Sequence, residues 1–183
     1  MDTILKQALS ILESGRVLLY PSDTVWGLAC DATNEKAVQL IFEIKKRVLD
    51  KSVLVQIADL NRLDKYAFIP EHIDKVLKQY EQPITIIYPY KDGLTDLVVA
   101  KDNTIAARIP KDEFSKQLLK KFKKPIVSTS ANISNKPFPI YFKDIDVEIL
   151  QNVDYIVALR QDECMNQPSE IIKLEGNKTI KIR

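Results

Sequence analysis

The segment 125–135 places a run of small polar side chains directly after two apolar residues. Ile126 and Val127 predict a buried strand, and the carboxyl ends of strands in α/β sheets are where ligands usually bind. Hydroxyl and amide groups supply hydrogen-bond donors and acceptors with little bulk. The segment therefore predicts a polar ligand site, although an ordinary turn rich in serine and asparagine would have the same composition. The polar side chains expected at the strand end are Ser128, Thr129, Ser130 and Asn132.

Two other segments carry cations in places that suit an anionic ligand. Lys45 and Arg47 follow the apolar face of a predicted helix over 35–46. If that helix ends near Lys45, the two side chains point to the same side of extended chain and can converge on one anion, with Lys51 close behind. The alternative explanation is that cations near a helix end complement the helix dipole. Arg108 lies between apolar residues of a predicted strand, where arginine is costly unless an anion or a carboxylate pairs with it.

The composition leaves little basis for several common kinds of active site. One histidine, His72, and two cysteines without metal-type spacing argue against a Ser-His-Asp arrangement or a His/Cys metal site. A net charge of +2 is too small to indicate a nucleic-acid partner by itself. The basic run over 116–124 has apolar neighbours at helical spacing, which favours a solvated helix face and leaves local RNA contact open. Any reaction must therefore depend on charge and positioning.

Helices and strands alternate along the chain, which predicts an α/β protein with three layers around a single mixed sheet. The predicted helices cover residues 2–14, 35–46, 59–66, 71–80, 112–122 and 143–150. The predicted strands cover residues 17–20, 53–57, 84–88, 105–109, 126–127, 155–159, 170–174 and 179–182, and a loop over 22–32 enters a further strand.

The length of 183 residues, without an evident linker or repeat, predicts one domain over residues 1–183. The longest apolar runs are too short to cross a membrane, and the first residues lack the pattern of a secretion signal. We therefore expect the protein to be cytoplasmic.

Residues 20–28, from Tyr20 to Leu28, resemble the strand-and-loop signature of the YrdC/TsaC family. Four further segments resemble family motifs in the same order along the chain, at 45–47, 107–108, 128–132 and 168–171. Each motif alone is weak, but five in order at similar spacings are specific. The resemblance extends over most of the chain and corresponds to the short, single-domain form of the family.

The resemblance implies a three-layer YrdC-like fold, with a twisted mixed sheet and a basic concave cavity. It implies a nucleotidyltransferase, L-threonylcarbamoyladenylate synthase, which forms threonylcarbamoyl-AMP and pyrophosphate from L-threonine, bicarbonate and ATP. Other proteins then transfer the threonylcarbamoyl group to tRNA, giving the t6A37 modification. Mg²⁺ is expected to accompany ATP on its phosphates, with no metal site on the protein. Direct contact with tRNA is left open, and no membrane partner is expected.

The resemblance also implies roles for individual residues. The catalytic set that it implies is Lys45, Arg47, Ser130 and Asn132. The implied pocket for threonine and bicarbonate consists of Thr24, Gln56, Arg108, Ser128 and Ser169. The implied contacts to ATP come from Arg47, Lys51, Thr104, Ser130, Asn132 and Arg183.

Two other functions share some of these features. A noncatalytic module that binds double-stranded RNA would use the same basic cavity, and its binding would weaken steeply with salt. A related enzyme that adenylates a carbamoyl group from carbamoyl phosphate normally forms part of a much longer chain. The sequence departs from the family pattern at Val48, Gln82 and Phe138, where the family usually has proline, glycine and a small polar residue.

Overall fold

The computed structural model describes residues 2–48, 53–175 and 178–183. In these residues the helices are α1 (Asp2–Glu13), α2 (Glu35–Ile44), α3 (Leu60–Leu63), α4 (Ile73–Leu77), α5 (Glu113–Phe122) and α6 (Val147–Asn152), with a 3-10 turn at Phe142–Asp144. The strands are β1 (Leu18–Pro21), β2 (Trp26–Asp31), β3 (Val55–Gln56), β4 (Ile84–Pro89), β5 (Thr104–Arg108), β6 (Ile126–Ser130), β7 (Tyr155–Ile156), β8 (Glu170–Glu175) and β9 (Lys178–Lys181). None of the helices in these ranges is long and apolar enough to cross a membrane.

Nine strands of the described chain form one sheet in the order β7-β1-β2-β6-β3-β5-β4-β8-β9. The β1–β7, β3–β5 and β4–β8 pairs are parallel, and the other neighbours are antiparallel. Apolar side chains pack on both faces of this sheet, so the helices form an outer layer on each side. The predicted α/β class with a mixed sheet and three layers is confirmed.

Local capping explains where several helices begin. The side chain of Asn34 accepts a hydrogen bond from the backbone N–H of Ala37 at 3.2 Å. Asp112 accepts one from the backbone N–H of Ser115 at 2.9 Å, at the start of α5. These caps satisfy backbone donors that have no partner within the first helical turn. The helix predicted from Asn34 therefore begins where expected.

Strand β6 extends further than its apolar residues predict. It runs through Ser130, because Ser128, Thr129 and Ser130 pair with Ala29, Leu28 and Gly27 of β2. The serines and the threonine therefore lie within the strand, and Asn132 alone of the predicted polar set follows it. The predicted strand over 155–159 is also corrected, since β7 ends at Ile156 after pairing with two residues of β1.

One face of the sheet is divided between a part under helices and a part without them. We call the first part the covered half, where Leu18, Ala29 and Ile126 pack against apolar residues of α1 and α5. The pairing of the strands places Gly27 and Ser128 on this same face, together with alternate residues of β5, β4 and β8. We call this second part the open half; it includes Gly27, Ser128, Ser130, Arg108, Ala106, Thr85 and Ile171.

Candidate active site

A cavity of about 500 Å³ lies on the open half of the sheet. The strand residues that line it, including Gly27, Ser128, Ala106 and Thr85, alternate with residues that face the opposite core. Among the described residues that line the cavity there are three arginines and no Asp or Glu. Hydroxyl groups make up most of the other polar lining: Ser22, Thr24, Thr85, Ser128, Thr129, Ser130 and Ser169. The cavity is therefore suited to a ligand with several negative charges.

Arg108 is the most deeply buried cation of this cavity. Its side chain is 4% exposed, and its Nη2 lies 3.1 Å from Oδ1 of Asp23, whose side chain is 3% exposed. The pair confirms the expectation that an arginine in an apolar strand needs an anion or a carboxylate. In the described part of the chain, Nε of Arg108 is buried and has no hydrogen-bond partner. The guanidinium therefore retains a donor that is not satisfied in the described chain, in a residue that lines the cavity.

Ser22 and Thr24 form a tight polar turn beside Arg108. The Ser22 hydroxyl donates to the Val25 carbonyl at 2.7 Å and lies 2.9 Å from the Thr24 hydroxyl. It also accepts hydrogen bonds from the backbone N–H groups of Thr24 and Val25, at 3.1 and 3.2 Å. These bonds hold the loop between β1 and β2 in one conformation. The Thr24 hydroxyl is thereby fixed at the cavity.

A buried hydrogen-bond network supports Ser128 from beneath the cavity. The Tyr20 hydroxyl donates to Oε1 of Gln56 at 3.1 Å and lies 2.6 Å from Oγ of Ser128. Burial raises the pKa of Tyr20 well above its ordinary value, so its hydroxyl stays protonated. Because that single proton is donated to Gln56, the Ser128 hydroxyl donates to Tyr20 and keeps lone pairs for a ligand.

The far wall of the cavity is formed by Thr85 of β4, by Ser169 directly before β8, and by the last residue, Arg183. Oγ1 of Thr85 and Oγ of Ser169 lie 2.8 Å apart, and both residues are buried. Arg183 donates from Nη2 to the Ser169 carbonyl at 3.2 Å. The backbone of Arg183 also exchanges hydrogen bonds with Ile171 in β8, at 3.1 and 3.2 Å. These bonds hold the terminal arginine at the cavity wall.

Lys45 lies behind the cavity, among carbonyl oxygens. Its side chain is almost fully buried, and its Nζ donates to the carbonyls of Ser130 and Asn132, the latter at 2.7 Å. The Lys45 carbonyl in turn accepts from the backbone N–H of Ser134 at 2.8 Å. Burial, with a smaller contribution from the nearby charge of Arg47, lowers the pKa of Lys45 to about 7. Lys45 therefore ties the end of α2 to the loop that follows β6.

Ser130 and Asn132 complete this cluster. The Ser130 hydroxyl donates to Oδ1 of Asn132 at 2.5 Å, and Nδ2 of Asn132 donates to the carbonyls of Ile133 and Lys136 at 3.1 and 2.5 Å. Arg47, two residues after Lys45, lines the cavity, and its guanidinium lies 5.8 Å from the centre of the Phe42 ring. The cluster therefore presents Ser130 and Arg47 to the cavity.

The structure brings most of the predicted site residues to one cavity. Its lining includes Thr24, Arg47, Arg108, Ser128, Ser130, Ser169 and Arg183. Lys45, Asn132 and Gln56 are not in the lining: the first two contact Ser130, which is, and Gln56 is linked to the lining residue Ser128 through Tyr20. Thr104 lies at the opposite end of β5 from Arg108, and its hydroxyl donates to Asp102 at 2.7 Å. Lys51 lies outside the described residues.

Four residues of the site were not predicted from the sequence. Ser22 builds the turn, Asp23 pairs with Arg108, and Thr85 contacts Ser169. Gly27 lines the cavity where a Cβ atom would lie 3.3 Å from the Thr129 carbonyl oxygen and from Cε1 of Tyr20. The polar residues Ser22 and Asp23 directly after a buried strand were the available signal. Nothing local distinguishes Thr85 from other strand threonines.

Comparison with known proteins agrees with this geometry. A family model for Sua5, YciO and YrdC proteins, described as "Telomere recombination", matches residues 10–183. A protein of Methanocaldococcus jannaschii named putative threonylcarbamoyl-AMP synthase is 36% identical over 171 residues, which are 93% of this chain and 80% of that protein. The threonylcarbamoyl-AMP synthase of Vibrio campbellii is 30% identical over 172 residues, covering 91% of each chain.

A solved structure with a similar fold is P. abyssi Sua5 complexed with L-threonine. It matches 98% of this chain with a TM-score of 0.85 and 27% identity. The match covers 53% of the Sua5 chain, so the present chain spans about half the length of that protein.

Proposed function

Because the chain belongs to the Sua5/YciO/YrdC family, we propose that it is a threonylcarbamoyl-AMP synthase, a nucleotidyltransferase that uses L-threonine, bicarbonate and ATP. The observation that carries this proposal is the cavity with Arg47, Arg108 and Arg183 in its wall and no Asp or Glu among its described lining residues. ATP, bicarbonate and the threonine carboxylate are all anionic. Enzymes named for this activity, at 30–36% identity over most of the chain, support the assignment.

Threonine is proposed to bind between Arg108 and the hydroxyls of Thr24, Ser128 and Ser169. The Arg108 guanidinium has a buried donor without a partner in the described chain, and a carboxylate is its best acceptor. The crystal structure of P. abyssi Sua5 with L-threonine supports a threonine site in this family. Gln56 is proposed to support this pocket indirectly, because it is fully buried and is linked to Ser128 through the Tyr20 hydroxyl.

ATP is proposed to bind at the other side of the cavity, near Arg47, Ser130 and Arg183. Arg47 and Arg183 would neutralise phosphate charges, and the Ser130 hydroxyl is held by Asn132. Lys45 would act on this region through Ser130 and Asn132, since its ammonium already donates to their carbonyls. Contacts of ATP with Lys51 and Thr104 remain predictions from the sequence.

The proposed chemistry needs alignment and charge neutralisation, with no nucleophile from the protein. Threonine's amine and bicarbonate give a carbamate and water, and a carbamate oxygen then attacks the α-phosphorus of ATP. The bond from that phosphorus to the bridging oxygen breaks, and pyrophosphate leaves with the electron pair. Arginines and hydroxyl donors that are already in place stabilise negative charge without reorganising during the reaction.

Mg²⁺ is proposed to enter with ATP, where it would neutralise phosphate charge. Among the described residues, no group of three or more His, Cys, Asp or Glu side chains is arranged to hold a metal ion. The donor set of the cavity, hydroxyls and cations, fits a metal carried by phosphates and water, as is common for Mg²⁺. Proteins that transfer the threonylcarbamoyl group to tRNA are the proposed partners, and direct tRNA contact stays a prediction.

The decisive experiment measures pyrophosphate release from ATP and Mg²⁺ while threonine or bicarbonate is omitted in turn. We expect release to require both. Release in the absence of both would indicate a different ATPase and contradict the proposal. No release under any combination, from folded protein, would also contradict it, and salt-sensitive binding of double-stranded RNA would then be measured.

Arg108→Ala separates the two ends of the proposed site. The variant is expected to raise the KM for threonine by about 10²-fold or more while changing the KM for ATP far less, because a buried, charge-assisted contact to the carboxylate is lost. Lys124→Ala serves as the control, since it removes a cation that pairs with Asp31 outside the cavity lining. An equal rise in the KM for threonine and the KM for ATP would contradict the placement of threonine at Arg108.

A further inference from the structure

We infer that Asp23 is a positioning residue for substrate recognition, whose buried carboxylate orients the Arg108 guanidinium toward the carboxylate of the amino-acid substrate. This inference rests on the proposed function, since it takes threonine as the ligand of Arg108. Asp23 itself is not in the described lining of the substrate cavity, whereas Arg108 is. Asp23 would therefore act through Arg108 and not on the substrate directly.

The first observation is the burial of the pair. The side chains of Asp23 and Arg108 are 3% and 4% exposed, and Oδ1 of Asp23 lies 3.1 Å from Nη2 of Arg108. Two charges removed from water interact strongly, and removing one of them leaves the other uncompensated. Although the atoms are close, no aligned hydrogen bond joins them, and Oδ1 has no such partner in the described chain. The contact is therefore electrostatic and leaves the guanidinium donors available to another acceptor.

The second observation is that Asp23 is itself held in place through its other carboxylate oxygen. Its Oδ2 accepts a hydrogen bond from the backbone N–H of Lys111 at 3.0 Å. The Lys111 ammonium donates to the carbonyls of Tyr80 and Glu81 at 2.7 and 2.6 Å. The neighbouring Ser22 carbonyl accepts from Arg160 Nη1 at 3.0 Å. The loop that carries Asp23 is thus anchored to two other parts of the fold.

The third observation is the incomplete set of partners around Arg108. A guanidinium has five N–H donors in a planar fork, and a single carboxylate cannot satisfy them all. Nε of Arg108 is buried and has no partner in the described chain, and the residue lies in the cavity wall. A second carboxylate on the cavity side would complete the set. Asp23 fixes one side of the guanidinium so that the other side is presented to the substrate.

A competing role for Asp23 makes the opposite prediction. If the carboxylate merely neutralised Arg108, its removal would strengthen the attraction between Arg108 and an anionic substrate. If it positions Arg108, its removal lets the guanidinium move and weakens substrate recognition. Measurement of the affinity for threonine therefore separates the two roles.

The test is Asp23→Asn, which keeps the size of the side chain and an oxygen that can accept from Lys111. Its amide group would place a second donor beside the guanidinium and remove the charge that orients it. We expect the KM for threonine in pyrophosphate release to rise about tenfold or more, with the KM for ATP within about twofold of wild type. A KM for threonine that is unchanged or lower, or an equal rise for ATP, would overturn the inference.

Asp31→Asn is the matched control. Asp31 is also buried at 4% exposure and pairs with a cation, Lys124, at 2.7 Å, but it is outside the described cavity lining. The control is expected to leave the KM for threonine unchanged. If it raised that KM as much as Asp23→Asn, loss of any buried carboxylate would explain the effect and the inference would fail.

Two further measurements keep the test decisive. If Asp23→Asn does not fold, Asp23→Glu retains the charge but displaces it, and is expected to raise the ratio of the threonine KM to the ATP KM; an unchanged ratio would overturn the inference. If the wild type releases no pyrophosphate, the proposed function fails separately. Calorimetric titration with L-threonine then decides, since weaker binding by Asp23→Asn supports the inference and equal or absent binding overturns it.

Discussion

The covered half and the open half belong to the same sheet face and share strands β2 and β6. In β2, Ala29 packs under α1 and α5, while Gly27, two residues earlier, lines the cavity. In β6, Ile126 packs under the helices, while Ser128, two residues later, lines the cavity. Since both pairs of residues point to the same face, the difference lies in what covers them. In these two strands the residues under the helices, Ala29 and Ile126, are apolar, and those at the cavity, Gly27 and Ser128, are small or polar.

The buried ion pairs of the protein show a parallel difference. Asp31 is buried, but its partner Lys124 is 51% exposed and remains partly hydrated. In the pair formed by Asp23 and Arg108, both side chains are almost fully buried. A pair with a hydrated partner has little desolvation to offset, whereas a fully buried pair requires additional hydrogen bonds. The open half therefore keeps polar groups that a ligand can satisfy, while the covered half provides stability.

The largest expected effect is on stability in the covered half. Leu118 of α5 is fully buried among α1 and the sheet, and Leu118→Ala would leave a cavity. We expect the free energy of unfolding to fall by about 2–5 kcal/mol, measured by urea denaturation. Turnover per folded molecule and the KM for threonine should stay at wild-type values. A change in that KM without loss of stability would break the distinction between the two halves.

The next effect is on chemistry in the open half. Arg47→Ala removes a cation from the cavity wall and is expected to slow pyrophosphate release by about 10²-fold or more, as for loss of one electrostatic stabiliser. Arg16→Ala is a matched control, because Arg16 is mostly exposed, lies 3.9 Å from Asp154 and is not in the cavity lining. Turnover by Arg47→Ala close to that of the control would contradict the role of Arg47.

The third effect concerns pH and the buried cation behind the open half. The folded pKa of Lys45, about 7, is below the ordinary lysine value of about 10.4, so the unfolded chain binds the additional proton at alkaline pH. The free energy of unfolding should therefore rise with pH from about 7 to 9, by up to about 1.4 kcal/mol per pH unit. Lys45→Met should reduce this slope, and Lys124→Met, at a half-exposed lysine, should keep it. Equal slopes in all three proteins would contradict the lowered pKa.

The smallest effect probes the space above Gly27. In Gly27→Ala the new methyl group would lie 3.3 Å from both the Thr129 carbonyl oxygen and a Tyr20 ring carbon, so these neighbours must shift slightly. We expect the KM for threonine to rise severalfold, on the order of 1 kcal/mol, because the methyl group enters the cavity lining. Ala29→Gly, in the same strand under the helices, should lower stability by a similar amount without changing that KM. A raised KM for threonine in Ala29→Gly, with an unchanged KM in Gly27→Ala, would contradict the distinction between the covered half and the open half.

Sequence patterns predicted the elements of the fold well because their causes are local. The apolar spacing of α1, α2 and α5 and the caps at Asn34 and Asp112 involve residues three or four positions apart. The ends of strands were predicted less well, because pairing with neighbouring strands determines them. The extension of β6 through Ser130 depends on pairing with β2, about 100 residues earlier in the chain. The apolar residues Ile126 and Val127 alone do not predict this extension.

The candidate site shows the same limit. Motifs around Thr24, Arg47, Arg108 and Ser128 identified residues that the cavity lining brings together. Their spacing in sequence did not reveal that Lys45 turns back onto the carbonyls after β6.

By itself, the sequence determined the kinds of elements, the polar and cationic character of the ligand site, and the need of Arg108 for a partner. Tertiary structure decided that this partner is Asp23, that Thr85 meets Ser169, and which half of the sheet stays uncovered. The physical reason is that helix periodicity and caps act over a few residues, whereas ion pairs and buried hydrogen bonds join residues about 80 positions apart. Their energies depend on the burial and alignment that strand register creates.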